Sequence, residues 1–163
     1  MSQLQNGKGN TVDMEFTFRD ARLTDMTELQ GVFLRASMAN EGDRPLLREH
    51  PEWLELSDAS VREGRTRVAV DEGRAVVGFA TYCISEGIAE LENLFVDPSH
   101  MRRRIGETLV LDISDRLRGL NFEILEVTAN PHAMAFYEYV GFEPDRLVDT
   151  MGYPALRMRR PID

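Results

Sequence analysis

The period of the hydrophobic positions changes several times along the chain, and each change marks an element. Ile105, Leu109, Ile113 and Leu117 recur four apart, with Val110 and Leu120 widening the stripe, so an amphipathic helix is predicted to about Arg118. Just before it, Leu91 to Val96 is rich in apolar and aromatic residues and stops at Asp97-Pro98. That pattern predicts a buried strand with an abrupt exit. Between strand and helix lies a short cationic turn, Met101-Arg102-Arg103-Arg104.

Upstream, residues 15–21 alternate Phe16 and Phe18 against polar neighbours and predict a first strand. Thr24 or Asp25 then suits the cap of a helix carrying Met26, Leu29, Val32, Phe33 and Ala36. Residues 40–58 are broken by Pro45 and Pro51 into short helical pieces that include Trp53. Strands are predicted over 66–71, 75–84 and 88–96, joined by turns at Glu72-Gly73 and Ser85-Glu86-Gly87, which makes an antiparallel meander. The long helix leads through Gly119 to a strand over 122–127 that returns parallel. A short helix from about Pro131 to Val140 follows, with Pro131 at its first position and Gly141 as its stop, and final strands lie near 143–149 and 154–160.

One irregularity stands out. Leu91 and Leu94 are three apart and do not share a face of an undisturbed strand, so a β-bulge is predicted near 92–94. Residues 1–13 are polar and aperiodic and are expected to form a mobile tail ahead of a single domain over 14–163. With 163 residues, 42% hydrophobic and 29% charged, the chain fits one globular α/β (α+β) domain.

Composition removes several function classes. A net charge of −9 argues against nucleic acid as a partner. No apolar run reaches the ~20 residues of a membrane span and no secretory h-region is seen, so no membrane partner and a cytoplasmic location are expected. The lone Cys83 sits in an apolar run and is expected to be a buried, inert thiol. His50, His100 and His132 lack ligand spacing, and no metal is expected.

The chemistry points to a phosphate-bearing ligand. A strand-turn-helix junction offers free backbone N–H groups and the positive end of a helix dipole to an anion, and three arginines strengthen that field. Glu92 lies on the strand before it. The motif Leu91-Glu92-Asn93-Leu94-Phe95-Val96-Asp97-Pro98 followed by this turn resembles the acyl-CoA-binding motif of the GCN5-related N-acetyltransferase (GNAT) superfamily. That family's loop reads Gln/Arg-x-x-Gly-x-Gly/Ala, and this chain departs from it at Met101 and Arg104. Arg104 is no steric obstacle if its φ is negative, but it departs from the glycine loop conformation. A second stretch, Asn130 to Phe142, matches the family's N-x-x-A-x-x-F-Y-x-x-x-G-F pattern at every named position.

The resemblance spans about residues 16–160 and implies a mixed, mostly antiparallel sheet of six to seven strands with about four helices and splayed central strands. It assigns the cofactor, acetyl-CoA as acyl donor, to the backbones of Leu94 and Val96 beside Phe95. The pyrophosphate falls to the backbone amides of Arg102, Arg103, Arg104, Ile105, Gly106 and Glu107, and Met101 at the head of the turn is counted with the cofactor-binding residues. Tyr137 is implied as the general acid, since a phenol of reference pKa about 10 can protonate a thiolate near 8.5. Alternatively it is a core tyrosine beside Phe136 and Phe142. Glu92 is the candidate base, directly or through a water, with Glu90 as competitor and a surface ion pair as the plain alternative. Asn130 orients a backbone segment or the cofactor, or caps its helix. Residues 40–58 would form part of the acceptor site, or a surface helix pair plugged by Trp53. The implied activity is transfer of an acetyl group to a primary amine of a small molecule or peptide, with a homodimer as a common assembly. A non-catalytic acyl-CoA sensor or interaction module is the other reading.

Overall fold

Seven strands form one sheet in the computed structural model, which describes residues 16–150 and 152–163. The tail expected at 1–13 lies outside the described residues. In chain order the strands are β1 (Thr17–Asp20), β2 (Thr66–Val70), β3 (Val76–Ser85), β4 (Ile88–Val96), β5 (Ile124–Ala129), β6 (Glu143–Thr150) and β7 (Tyr153–Pro161). Their order across the sheet is β1-β2-β3-β4-β5-β7-β6. The β4–β5 pair is parallel and every other pair is antiparallel.

Five α-helices flank the sheet among the described residues: α1 (Met26–Met38), α2 (Arg44–Glu49), α3 (Ala59–Arg62), α4 (Ile105–Gly119) and α5 (Met134–Tyr139). The four-apart stripe of α4 drives its docking, for Leu109, Ile113 and Leu117 are fully buried. They share a core with Leu91, Leu125, Val127 and Met158 on one face of the sheet. Burial of each such side chain contributes about 1.5–3 kcal/mol. A second core joins Leu29 and Val32 of α1 and Val61 of α3 to Val68, Val70 and Phe79. Thr66 and Thr81, buried at its margin, satisfy each other across 2.8 Å.

Several boundaries differ from those predicted. Asp25 precedes α1, but its carboxylate turns back to Arg19 (2.8 and 3.0 Å) and to the Arg22 amide (2.7 Å) and does not cap the helix. β5 starts at Ile124, not residue 122, because the Phe122 amide donates to Leu117 O and prolongs the end of α4. The helix near 131–140 begins only at Met134. Asn130 takes the Ala133 amide on both its carbonyl and its side chain (3.1 and 3.0 Å), which holds Pro131 in a turn outside the helix. Gly141 does end the segment, at φ +100°.

Candidate active site

The site grows from an interruption in β4. Thr81 of β3 lies opposite Asn93 and Tyr82 opposite Leu91, so Glu92 is an extra residue with no partner on β3. This bulge restores phase, and Leu91 and Leu94 both reach the core beneath α4. On its other edge β4 pairs with β5 only over Ala89–Leu91, against Leu125–Val127. Both strands run on, to Val96 and Ala129, without a shared ladder. The result is a wedge that opens toward the C-terminal ends of two parallel strands.

The backbone of that wedge has a definite polarity. The Asp97 amide donates to Val77 O of β3 at 2.8 Å. Peptide groups alternate sides along a strand, so Phe95 also faces β3, whereas the amide and carbonyl groups of Leu94 and Val96 face the gap.

A cavity of about 570 Å³ fills the wedge. Leu94, Phe95 and Val96 form one wall. Met101, Arg102, Arg104, Ile105, Gly106 and Glu107 form the second, at the start of α4. The third comes from Asn130, His132, Ala133, Phe136 and Tyr137, and Ala36 of α1 and Ala39 just past its end close the rim. Gly106 is placed by close approach: a Cβ there would lie 3.1 Å from Phe136 Cζ. The Ala36, Ala39 and His132 positions carried no sequence signal, because only long-range packing brings them here. Phe136 and Ala133 were visible as motif positions without a role.

Two predicted residues lie outside the lining. Arg103 belongs to the turn but not to the cavity wall. Glu92 projects from the bulge with its side chain 48% exposed, and Arg65 Nη1 stands 3.4 Å from its Oε1. Arg65 also donates to Tyr82 O at 2.6 Å. Glu90 is held differently: Arg157 reaches it at 2.8 Å, Glu126 at 2.7 Å and Thr128 at 2.7 Å. Cys83 is half-buried beside these acids, not fully buried as expected, and burial pushes its thiol upward. Trp53 stacks on His50 with centroids 4.1 Å apart and takes no part in the cavity. Asn130 spends its side-chain oxygen on the turn, which leaves its amide nitrogen for other work.

Tyr137 is 8% exposed and packs edge-on against Phe136 and Phe142, each at 5.3 Å. Burial pushes its phenol up to about 12, so it holds its proton throughout the physiological range. Arg102 and Arg104 both adopt left-handed backbone, at φ 66° and 64°. The condition of a negative φ at Arg104 is therefore not met, and the arginine takes the conformation that glycine adopts freely. Among the described residues no group of three or more His, Cys, Asp or Glu is placed to hold a metal ion, and no helix is long and apolar enough to cross a membrane.

The class defined by these features is an open mixed sheet parted between two parallel strands, with an anion-suited helix start at the opening. Within it, residues 26–142 match the Acetyltransferase (GNAT) family, and the chain belongs to that family. Among solved structures, it is similar to the ribosomal-protein-S18-alanine N-acetyltransferase of Escherichia coli. That match has 21% identity over 90% of this chain and 94% of the other, with a TM-score of 0.65. The PaiA N-acetyltransferase of Thermoplasma acidophilum, solved with coenzyme A, has 21% identity over 91% and 99% and a TM-score of 0.69. A phosphinothricin acetyltransferase of Sinorhizobium meliloti, solved with acetyl-CoA, has 22% identity over 91% and 89% and a TM-score of 0.66. Identities this low show a shared fold. No curated protein matches the sequence.

Proposed function

We propose that the protein is an acetyl-CoA-dependent N-acetyltransferase that acylates a primary amine by direct attack on the thioester. The observation that carries this reading is the unpaired run of β4 facing β5, with the buried phenol of Tyr137 on the same cavity. The residues suit an elongated donor. Leu94, Val96, Phe136 and Ala133 offer an apolar trough with exposed backbone groups, and Arg102, Arg104 and the α4 dipole offer a cationic end. Acetyl-CoA, when bound, supplies the activated acyl group.

In this reading the backbones of Leu94 and Val96 hold the pantetheine arm as an added strand. The amides of residues 102–107 take the pyrophosphate. The Leu94 amide polarises the acyl carbonyl, an oxyanion-hole role. Tyr137 delivers a proton to the departing sulfur. Its raised pKa keeps it protonated, the form a general acid requires, and burial disfavours a free thiolate as it does a phenolate. Glu92, half exposed, draws the amine proton through water; Glu90 is occupied by Arg157.

The test is thiol release from acetyl-CoA across a panel of amines, with Tyr137→Phe as control. Amine-dependent release supports the proposal, and unchanged turnover in Tyr137→Phe removes the phenol from the mechanism. A melting temperature raised by acetyl-CoA, with no release for any amine class, favours a sensor.

A further inference from the structure

On the face of the sheet away from α4, the strands that form the wedge are joined by charge. The register of β4 on β5 sets Glu90 opposite Glu126, in the middle of their three-rung ladder. Ala89, Leu91, Leu125 and Val127 beside them face the core beneath α4, so both carboxylates lie on the other face. Neighbouring strands lie about 4.8 Å apart, and like charges directly opposite each other destabilise a strand pair. No apolar packing offsets that repulsion, for the second core, around Leu29, Val32 and Phe79, holds no buried residue of β5 or β7.

Arg157 of β7 offsets it instead. Its Nε donates to Glu126 Oε1 at 2.7 Å, and its Nη1 lies 2.8 Å from Glu90 Oε2 and 2.7 Å from Thr128 Oγ1. β7 pairs with β5 and not with β4, so this side chain, only 12% exposed, reaches across a whole strand to Glu90. Arg146 of β6 stands farther off, 3.8 Å from Glu126 Oε1, and is half exposed. Thr128 is the first residue of β5 past the ladder. The Arg157 guanidinium therefore joins both strands at the rungs where the wedge begins to open. A buried ion cluster gains little net stability over apolar side chains, because desolvation offsets the attraction. What this one fixes is geometry. Leu94 and the turn before α4 continue from β4, whereas Tyr137 is carried by α5, which follows β5.

We propose that Arg157 is a positioning residue for acyl transfer. By tying Glu90 of β4 to Glu126 and Thr128 of β5, it fixes how far the two strands part and aligns the Tyr137 phenol with a thioester held along β4. The inference rests on the acetyl-CoA reading above and adds a residue that lies outside the cavity wall.

The experiment compares the full-length wild-type protein with Arg157→Met, Arg157→Lys and Arg157→Met/Glu126→Gln. Met keeps an apolar stem without charge, and Lys keeps the charge without the fork that serves two carboxylates. The double variant removes the like-charge rung as well. Each is titrated calorimetrically with CoA, and kcat and KM are measured for thiol release from acetyl-CoA with alkylamines, diamines, amino sugars and lysine peptides. Amide exchange is followed by mass spectrometry. Misplacing reacting groups by about 1 Å costs about 100-fold in rate, so kcat is expected to fall about 100-fold in Arg157→Met and about tenfold in Arg157→Lys. CoA affinity should stay within about threefold, because the backbone contacts to the donor belong to β4 and the start of α4. Exchange should quicken over residues 89–91 and 125–127 and stay unchanged in α4. The double variant should regain part of the lost kcat. If Arg157→Met does not fold, Arg157→Lys and the double variant are read by the same criteria. A kcat unchanged in the folded variants overturns the proposal and leaves the transferase reading intact. So does a parallel fall of kcat and CoA affinity with exchange quickened in α4, which marks a general loss of fold. A wild-type protein that releases no thiol with any amine overturns the transferase reading and this inference together.

Discussion

Asp97→Asn isolates what fastens the end of β4 to α1. Asp97 is 9% exposed, and its Oδ1 accepts from Ser99 N at 3.1 Å and Ser99 Oγ at 2.7 Å. Its Oδ2 accepts from Arg35 Nε at 2.8 Å and Nη2 at 2.6 Å. Burial opposes ionisation, but these donors outweigh it and hold the carboxyl below its usual range. Hydrogen bonds to a charged group contribute about 1.5–3 kcal/mol. Arg35 is 56% exposed on its side chain, so its share is discounted to about 1 kcal/mol. Asparagine keeps an acceptor for Ser99 but sets an amide NH₂ or a neutral oxygen against the guanidinium. The expected loss is about 2 kcal/mol at pH 7, and about 1 kcal/mol for Arg35→Gln. A depressed folded pKa stabilises above the unfolded value of about 3.9 and loses that stabilisation as pH falls through the folded value. Urea melts at pH 7, 5 and 3 should therefore show the wild-type advantage over Asp97→Asn intact at the first two and shrinking at the third. A difference under about 0.5 kcal/mol at pH 7, or one that does not change with pH, would refute the reasoning.

Tyr137→Phe should leave stability within about 0.5 kcal/mol, since its oxygen makes no hydrogen bond among the described residues, while turnover falls at least ~100-fold. Chemical denaturation and thiol release on the same sample separate the two effects. Gly141→Ala should cost about 1–3 kcal/mol, because φ is +100° and the new Cβ would sit 3.3 Å from Arg160 Nε, which donates to Val140 O. Ile113→Ala empties a fully buried position under the sheet and should cost about 2–5 kcal/mol in a urea melt.

The elements of this fold were legible because their signals are local. The four-apart stripe of α4, the breaker at Asp97-Pro98 and the three-residue gap between Leu91 and Leu94 each state a geometric requirement within a few residues. The start of α5 was misplaced for a local reason too: Asn130 and Pro131 suit a helix start and an Asx turn equally, and the choice follows from where the Ala133 amide points. The far rim of the cavity was not legible. Ala36 in α1 and Ala39 just past its end are unremarkable until Arg35 locks onto Asp97 and sets the end of α1 over the wedge. Glu92 shows the same limit, for its position on β4 was readable but its pairing with Arg65, 27 residues away, was not.

One inserted residue links the fold to the site. Were Glu92 paired in a regular ladder instead of bulged, Leu94 would turn to the face opposite Leu91, and the core beneath α4 would lose a wall. With Glu92 bulged, β4 changes phase against β3, and a bulge adds local twist and bend to the strand that carries it. The ladder to β5 stops at Leu91, one residue before the bulge, while the ladder to β3 resumes beyond it. The bend therefore separates β4 from the neighbour it does not follow. The packing demand of two leucines and the opening that exposes the Leu94 and Val96 backbones have a common origin. The apolar pattern that specifies the core thus also specifies where a ligand can enter the sheet, before any charged or titratable residue is considered.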